Sequence, residues 1–355
     1  MLASPRGAES RNLDLLRGIA VGCVFAAHLI LQLIDVHFIR VGDYEKWKVW
    51  LNELGHVGVL FFFVHTALVL MLSLERTKAR HLVLNFYIRR IFRIYPLCIA
   101  CIISILLFRI PQVPAGRYVP WEWNEIASNV LLVQNITRLP DMIMPLWTLP
   151  REFQMYLVLP FIYLALRRIP SSLFVLILWF AFFAAVPSTP LLSCFPCFMG
   201  GVFAYQLAKE RVFRLPALIW PAAITILFSL HALAVLTLFN DYRSDFVLCM
   251  FLGGVIPNVL ELPQSWWTRA SQTVAKYSYG IYLCHDPVLW FAFVKLNWLP
   301  VAMQWSVLVA MMVLVPLGAH RLLEGPMIDA GRRLAGRWTV NPRTETVLAE
   351  APGVS

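Results

Sequence analysis

The sequence predicts an all-α, polytopic membrane protein with about ten transmembrane helices and both termini in the cytoplasm. Three observations predict it. Hydrophobic residues fill 59% of the 355 positions. Charged residues fill only 14%, against roughly 25% in an ordinary soluble domain. Long apolar runs recur along the whole chain, each bounded by charge, Pro or a polar cluster. A spanning helix needs about 20 apolar residues, so ten spans with short loops use most of the length. Disordered, collagen-like and water-soluble classes are excluded by the same composition.

The first run, 14–36, follows a short polar stretch and lacks a small-residue cleavage site, so it reads as a retained signal anchor. The second and third fall at 55–74 and 92–110. The segment 111–145 carries Trp121 and Trp123, which suit an outer loop resting at the membrane interface. A fourth run covers 146–166. The fifth and sixth, 171–187 and 191–208, are separated only by PSTP at 187–190, a tight hairpin. The remaining four fall at 216–239, 245–261, 276–295 and 302–322. The expected organisation is a cytoplasmic tail at 1–12, one membrane domain at 13–325 and a cytoplasmic tail at 326–355. No appended soluble domain is expected.

The net charge is +10, but the basic residues sit in short clusters between apolar runs. That arrangement sets membrane orientation and does not form a nucleic-acid groove. With the N-terminus inside, every inward segment is basic: Arg6, Arg11 and Arg17; Arg76 to Arg93; Arg167 and Arg168; Lys209 to Arg214; Arg269 and Lys276; and Arg321 to Arg343. The outward segments hold far fewer. Two of the cysteine pairs, Cys98/Cys101 and Cys194/Cys197, have C-x-x-C spacing within apolar runs. They read as small buried helix residues, with a redox role as the alternative for Cys194/Cys197.

A charge within a span is costly, so it marks function by default. Arg17 and His28 lie eleven residues apart on the first helix. At 100° per residue they share one face, separated by about 16 Å of rise. That face links the cytoplasmic mouth to a buried imidazole, the usual general base near neutral pH; a purely structural histidine is the alternative. Arg90 and Arg93, with Arg89 before them, form a pair at i and i+3. Their guanidinium forks suit phosphate oxygens, the alternative being a topology anchor. Glu152, near the outer end of the fourth helix, is suited to orient an imidazolium or bind a hydroxyl; an ion pair with Arg109 or Arg151 is the alternative. Tyr277-Ser278-Tyr279, His285-Asp286-Pro287, His65 and Glu324 are further candidates. No G-x-S-x-G, Walker A, G-x-G-x-x-G or H-E-x-x-H is present, and no metal-ligand set has a suitable spacing. No metal and no tightly bound cofactor are expected.

Read in order, these segments resemble the bacterial acyltransferase-3 family, integral-membrane O-acetyltransferases of surface polysaccharides. The resemblance rests on NLDLLRGIAVGCVFAAH at 12–28, GHVGVLFFF at 55–63, FYIRRIFRIYP at 86–96, LWTLPREFQMY at 146–156, YSYGIYLCHDPV at 277–288 and EGPMI at 324–328. Two departures stand out. Val64-His65-Thr66 replaces a usual Ser-Gly pair, and Arg151 replaces a small apolar residue before the glutamate. The resemblance implies acyl-CoA, most often acetyl-CoA, as a cytoplasmic co-substrate. It implies a carbohydrate or lipid-linked sugar hydroxyl as acceptor, the bacterial inner membrane as location, and polysaccharide-assembly proteins as partners. It implies His28 as base or acyl carrier, Arg89, Arg90 and Arg93 on CoA phosphates, Glu152 orienting His28 or the sugar, and Arg17 on the path between. A transporter of an anionic or acylated metabolite is the rival class; a third is a scaffold without chemistry.

Overall fold

The computed structural model describes residues 10–77, 81–112, 116, 118–185, 194–210, 214–237 and 243–337. The PSTP hairpin at 187–190, most of the N-terminal tail and the tail beyond 337 lie outside the described residues. Those described form helices, with no strand among them beyond one isolated bridge between Leu215 and Val259.

Thirteen α-helices follow in order: α1 (Arg11–Asp35), α2 (Tyr44–Arg76), α3 (Leu82–Phe108), α4 (Trp123–Leu131), α5 (Gln134–Thr137), α6 (Thr148–Arg168), α7 (Ser172–Ala185), α8 (Phe195–Glu210), α9 (Ile219–Thr237), α10 (Arg243–Val255), α11 (Trp266–Trp290), α12 (Val301–Ala319) and α13 (Gly325–Gly336). Each of the ten apolar runs coincides with one of them. Among the described residues, four stretches are long and apolar enough to cross a membrane: Arg11–Asp35, Tyr44–Arg76, Leu82–Phe108 and Val301–Gly336.

Three helices start well before their apolar runs. α2 begins at Tyr44 instead of near 55, α3 at Leu82 instead of near 92, and α11 at Trp266 instead of near 276. Their extra turns interrupt the apolar pattern with Glu45, Lys46, Lys48 and Glu53 on α2, Asn85, Arg89 and Arg90 on α3, and Arg269 and Gln272 on α11. On α3 and α11 those turns carry Arg89, Arg90, Arg269 and Gln272 toward an internal cavity. Apolarity marks where a helix meets lipid, not where its hydrogen bonding stops.

The segment between α3 and α6 does not simply rest on the surface. Trp123 is exposed, but Met142, Ile143 and Leu146 are fully buried. The chain dives into the bundle through the short 3₁₀ turn Met144–Trp147. α6 therefore starts inside the protein. Left-handed residues at Leu132 and Arg138 end α4 and α5 and turn the chain inward. Asn129 pins the fold, donating to the Pro140 carbonyl at 2.9 Å and accepting from the Met142 amide at 3.1 Å.

α1 packs between α2 and α11. Its close approach to α2 requires Gly58, where a Cβ would lie 2.6 Å from the Ala20 carbonyl oxygen. Ser10 caps α1 by accepting from the Leu13 amide. Asn12 ties that end to the 260–262 strap, donating to the Leu260 carbonyl at 3.0 Å and accepting from the Leu262 amide at 3.1 Å.

Pro287 in α11 and Pro316 in α12 each precede a single π-helical turn, Phe291–Lys295 and His320–Glu324. Proline supplies no N–H, so a carbonyl one turn earlier is released. At Pro287 that carbonyl is Leu283, and the Cys101 thiol donates to it at 3.5 Å. After the second π turn the chain continues as α13, within the segment expected to be tail. Gly331 meets the Phe92 side chain and Asn85 donates to the Ala335 carbonyl at 2.9 Å. The packed unit thus extends about ten residues past the expected boundary at 325.

Candidate active site: a cationic cavity and a histidine pocket

Two chambers open along α1. The larger one has a volume of about 1320 Å³, larger than a typical drug-sized pocket. Eight cationic side chains line it: Arg17, Arg76, Arg89, Arg90, Arg93, Arg269, Lys276 and Arg332. Three carboxylates line it too: Asp14, Glu152 and Glu324. The cations come from α1, α2, α3, α11 and α13, so distant parts of the chain converge on one excess of positive charge.

Glu152 stands among Arg17, Arg90 and Arg93 and accepts a hydrogen bond from Tyr156, one turn on. Tyr156 packs edge-on against Phe86 of α3, which holds α6 against the arginine-bearing helix. The Nε atoms of Arg89 and Arg90 are buried without a hydrogen-bond partner. Several guanidinium groups gathered around one cavity are the chemistry of a site for multiple anionic oxygens. His320 bonds Glu324 at 3.1 Å, and Tyr277 meets the His320 ring edge-on at 5.1 Å. His65 also lines this chamber. Tyr279 instead donates to the Ile94 carbonyl at 2.8 Å, joining α11 to α3.

His28 is not in this cavity. It lines a second, smaller pocket of about 250 Å³, together with Glu53, His56, Met144, Trp147 and Tyr282. Glu152 therefore does not orient His28, contrary to the sequence expectation. α6 begins inside the bundle, and its first turns aim the carboxylate at the arginines. Arg109 is the left-handed cap of α3. Arg151 packs over the Trp147 ring at 4.8 Å and donates to the Trp147 carbonyl.

The group that orients His28 is His285. The His28 Nδ1 and His285 Nε2 atoms are 2.8 Å apart. His285 Nδ1 lies 2.7 Å from the Tyr282 carbonyl, which only accepts, so Nδ1 carries the proton. A neutral His285 then presents a lone pair at Nε2, and His28 donates to it from Nδ1. The network leaves a lone pair on His28 Nε2. Asp286 Oδ1 lies 3.8 Å from His28 Nδ1, a counter-charge close to any imidazolium that forms. A buried base held in one tautomer by a second group, with a carboxylate beside it, is an arrangement for proton abstraction.

His28, His285 and Asp286 also place three ligand atoms within 4.8 Å of one another. Two nitrogens on one tetrahedral metal, each at about 2.0 Å, stand roughly 3.3 Å apart. The observed 2.8 Å is a hydrogen bond. His285 and Asp286 were visible as a polar pair in an apolar run, but their union with His28 spans 257 positions. His56 lies within the GHVGVLFFF stretch at 55–63 that carries part of the resemblance, but nothing in the sequence singles it out as a site residue.

Between the chambers, Tyr282 and Thr148 share a hydrogen bond of 2.9 Å, and Phe62 meets Tyr282 edge-on. The separation of Arg17 from His28 along α1 is about 16 Å.

The acyltransferase-3 family, described as an acyltransferase domain, matches residues 10–321. Acyltransferase MdmB of Streptomyces mycarofaciens is 30% identical over 174 residues, covering 47% of this chain and 42% of that protein. The matched stretch is thus less than half of that relative's length. No solved structure matches. The match runs from the cap of α1 to the π turn that carries Glu324's partner His320, taking in the histidine pocket and all of the cavity lining except Glu324, Ile328 and Arg332, and the chain belongs to the acyltransferase-3 family of membrane acyltransferases.

Proposed function

We propose that the chain moves an acyl group, most often acetyl, from cytoplasmic acyl-CoA to a hydroxyl. The acceptor hydroxyl belongs to a cell-surface or exopolysaccharide sugar, or to its lipid-linked precursor. The protein works in the bacterial inner membrane beside polysaccharide-assembly proteins, crossing it ten times with both termini in the cytoplasm. The observation that carries this reading is the pairing of two unlike chambers on one face of α1. A large cationic cavity suits the phosphates of CoA. A small pocket with a free imidazole lone pair suits an acyl group and an alcohol. The long arm of CoA is what joins two such sites.

In this reading Arg89, Arg90 and Arg93 hold the phosphates, and Arg17 lies along the path toward His28. Glu152 keeps the guanidiniums of Arg17, Arg90 and Arg93 apart and oriented. His28 Nε2 takes the proton of the attacking hydroxyl, and Asp286 steadies the imidazolium.

The test is incubation of the purified protein in lipid vesicles with labelled acetyl-CoA and a membrane glycan fraction, followed by mass analysis. Time-dependent label on a glycan is expected. Label that only crosses the vesicle wall makes the protein a transporter. Reporter fusions at residues 80 and 345 are expected to agree with each other and to differ from one at 125; an outward report at 80 overturns the orientation.

A further inference from the structure

Negative charge develops on the carbonyl oxygen when a hydroxyl adds to an acyl group, and a base does nothing to stabilise it. Oriented donors normally do. The chain of Tyr282, His285 and His28 presents a lone pair to the pocket, not a proton. The Tyr282 hydroxyl is already paired with Thr148.

His56 lines the same small pocket. Its Nε2 lies 2.8 Å from Asp245 Oδ2 on α10. Its ring lies nearly parallel to Trp147, with centroids 6.1 Å apart and 16° between planes. These contacts fix its orientation and commit Nε2–H to the carboxylate, so Nδ1 is the nitrogen left for the pocket. Three ionisable neighbours face it. Glu53 is three positions earlier on α2. Asp245 is on α10 and also approaches His231 of α9 at 3.4 Å. Arg151 faces it from α6. Two carboxylates thus surround two imidazoles at the outer end, whereas His28 is held by a neutral relay.

We propose that His56 is the proton-bearing partner of His28, donating Nδ1–H to the acyl carbonyl oxygen, with Asp245 as its positioning residue. The inference rests on the acyl-transfer reading above. His28 Nε2 takes the hydroxyl proton as the acceptor oxygen bonds to the carbonyl carbon. The carbonyl π electrons move onto oxygen, where His56 donates. They return as the carbon–sulfur bond breaks, and the CoA thiolate leaves with the proton from His28.

The experiment compares wild type, His56→Gln and Asp245→Asn in vesicles with labelled acetyl-CoA and the membrane glycan fraction, across pH. Wild type is expected to give a bell. His28 must be unprotonated, so activity falls as pH drops. His56 must be protonated, so activity falls as pH rises. His56→Gln is expected to lose about 10²–10³-fold in kcat, keep acetyl-CoA affinity within two-fold, and lose the alkaline limb while keeping the acid one. Asp245→Asn removes the counter-charge, so the alkaline limb moves to lower pH; it decides the matter if His56→Gln fails to insert. An active wild type whose His56→Gln or Asp245→Asn variant keeps both its rate and its alkaline limb overturns the assignment alone. A wild type that labels no glycan overturns the acyl-transfer reading beneath it.

Discussion

The cationic cavity and the histidine pocket share α1 but are assembled on opposite principles. The cavity gathers charge from the ends of five helices, and its side chains reach inward on long, flexible stems. The pocket is small and gathers short-range hydrogen bonds: His28 to His285, His56 to Asp245, His285 to a carbonyl. A site that grips a multiply charged, mobile group needs many approximate contacts. A site that moves a proton needs a few fixed ones. The difference predicts that damage to the two regions will separate binding from turnover.

The largest effect belongs to the pocket. His28→Gln keeps a donor and much of the shape but has no basic lone pair near neutral pH. It is expected to lose about 10²–10⁴-fold in transfer, with acetyl-CoA affinity measured by calorimetry close to wild type. Transfer within a few-fold of wild type makes the imidazole structural and erases the division between chambers.

The cavity is expected to behave in reverse. Losing one charge-assisted hydrogen bond costs about 1.5–3 kcal/mol, or roughly 10- to 150-fold in affinity. Arg93→Ala and Arg90→Ala should weaken acetyl-CoA binding by that order while transfer at saturation stays near wild type. Lysine at either position should restore only part, since it lacks the planar fork. Calorimetry that finds unchanged affinity in both single variants and the double variant leaves the arginines as topology anchors.

A substitution outside both chambers tests what they have in common. Gly58→Leu pushes side-chain atoms into the Ala20 carbonyl and Val24, which lie 2.6 and 3.0 Å from the added Cβ. Overpacking of this kind costs about 1–3 kcal/mol. Because α1 carries residues of both chambers, affinity and turnover should fall together, with a lower Tm. A variant that loses only one of them indicates that α1 does not tie the chambers together.

Much of this architecture was legible. The ten apolar runs each coincide with a helix, and the i, i+11 spacing on α1 and the Arg90/Arg93 pair are local properties that helix geometry dictates. What was hidden has two causes. Helix starts on α2, α3 and α11 precede the apolar runs for different reasons: the first turns of α2 are exposed and charged, whereas the early turns of α3 and α11 carry basic residues into an internal cavity. The partner of His28 was misread because sequence distance gives no account of depth. Glu152 is expected from the sequence near the outer end of its span, orienting His28 or the acceptor sugar, but α6 begins inside the protein and turns that residue toward the arginines. The relay through His285 and the pair of His56 with Asp245 join residues 257 and 189 positions apart, where no periodicity speaks.

The 3₁₀ turn Met144–Trp147 runs without a break into α6. Trp147 walls the histidine pocket and Glu152 the cationic cavity, five positions further along one rigid rod. Each residue inserted or deleted between them would swing one wall about 100° against the other. This stretch therefore has a fixed length as strict as that of a gear tooth, while the exposed surface around Trp123, which walls neither chamber, can lengthen or shorten freely.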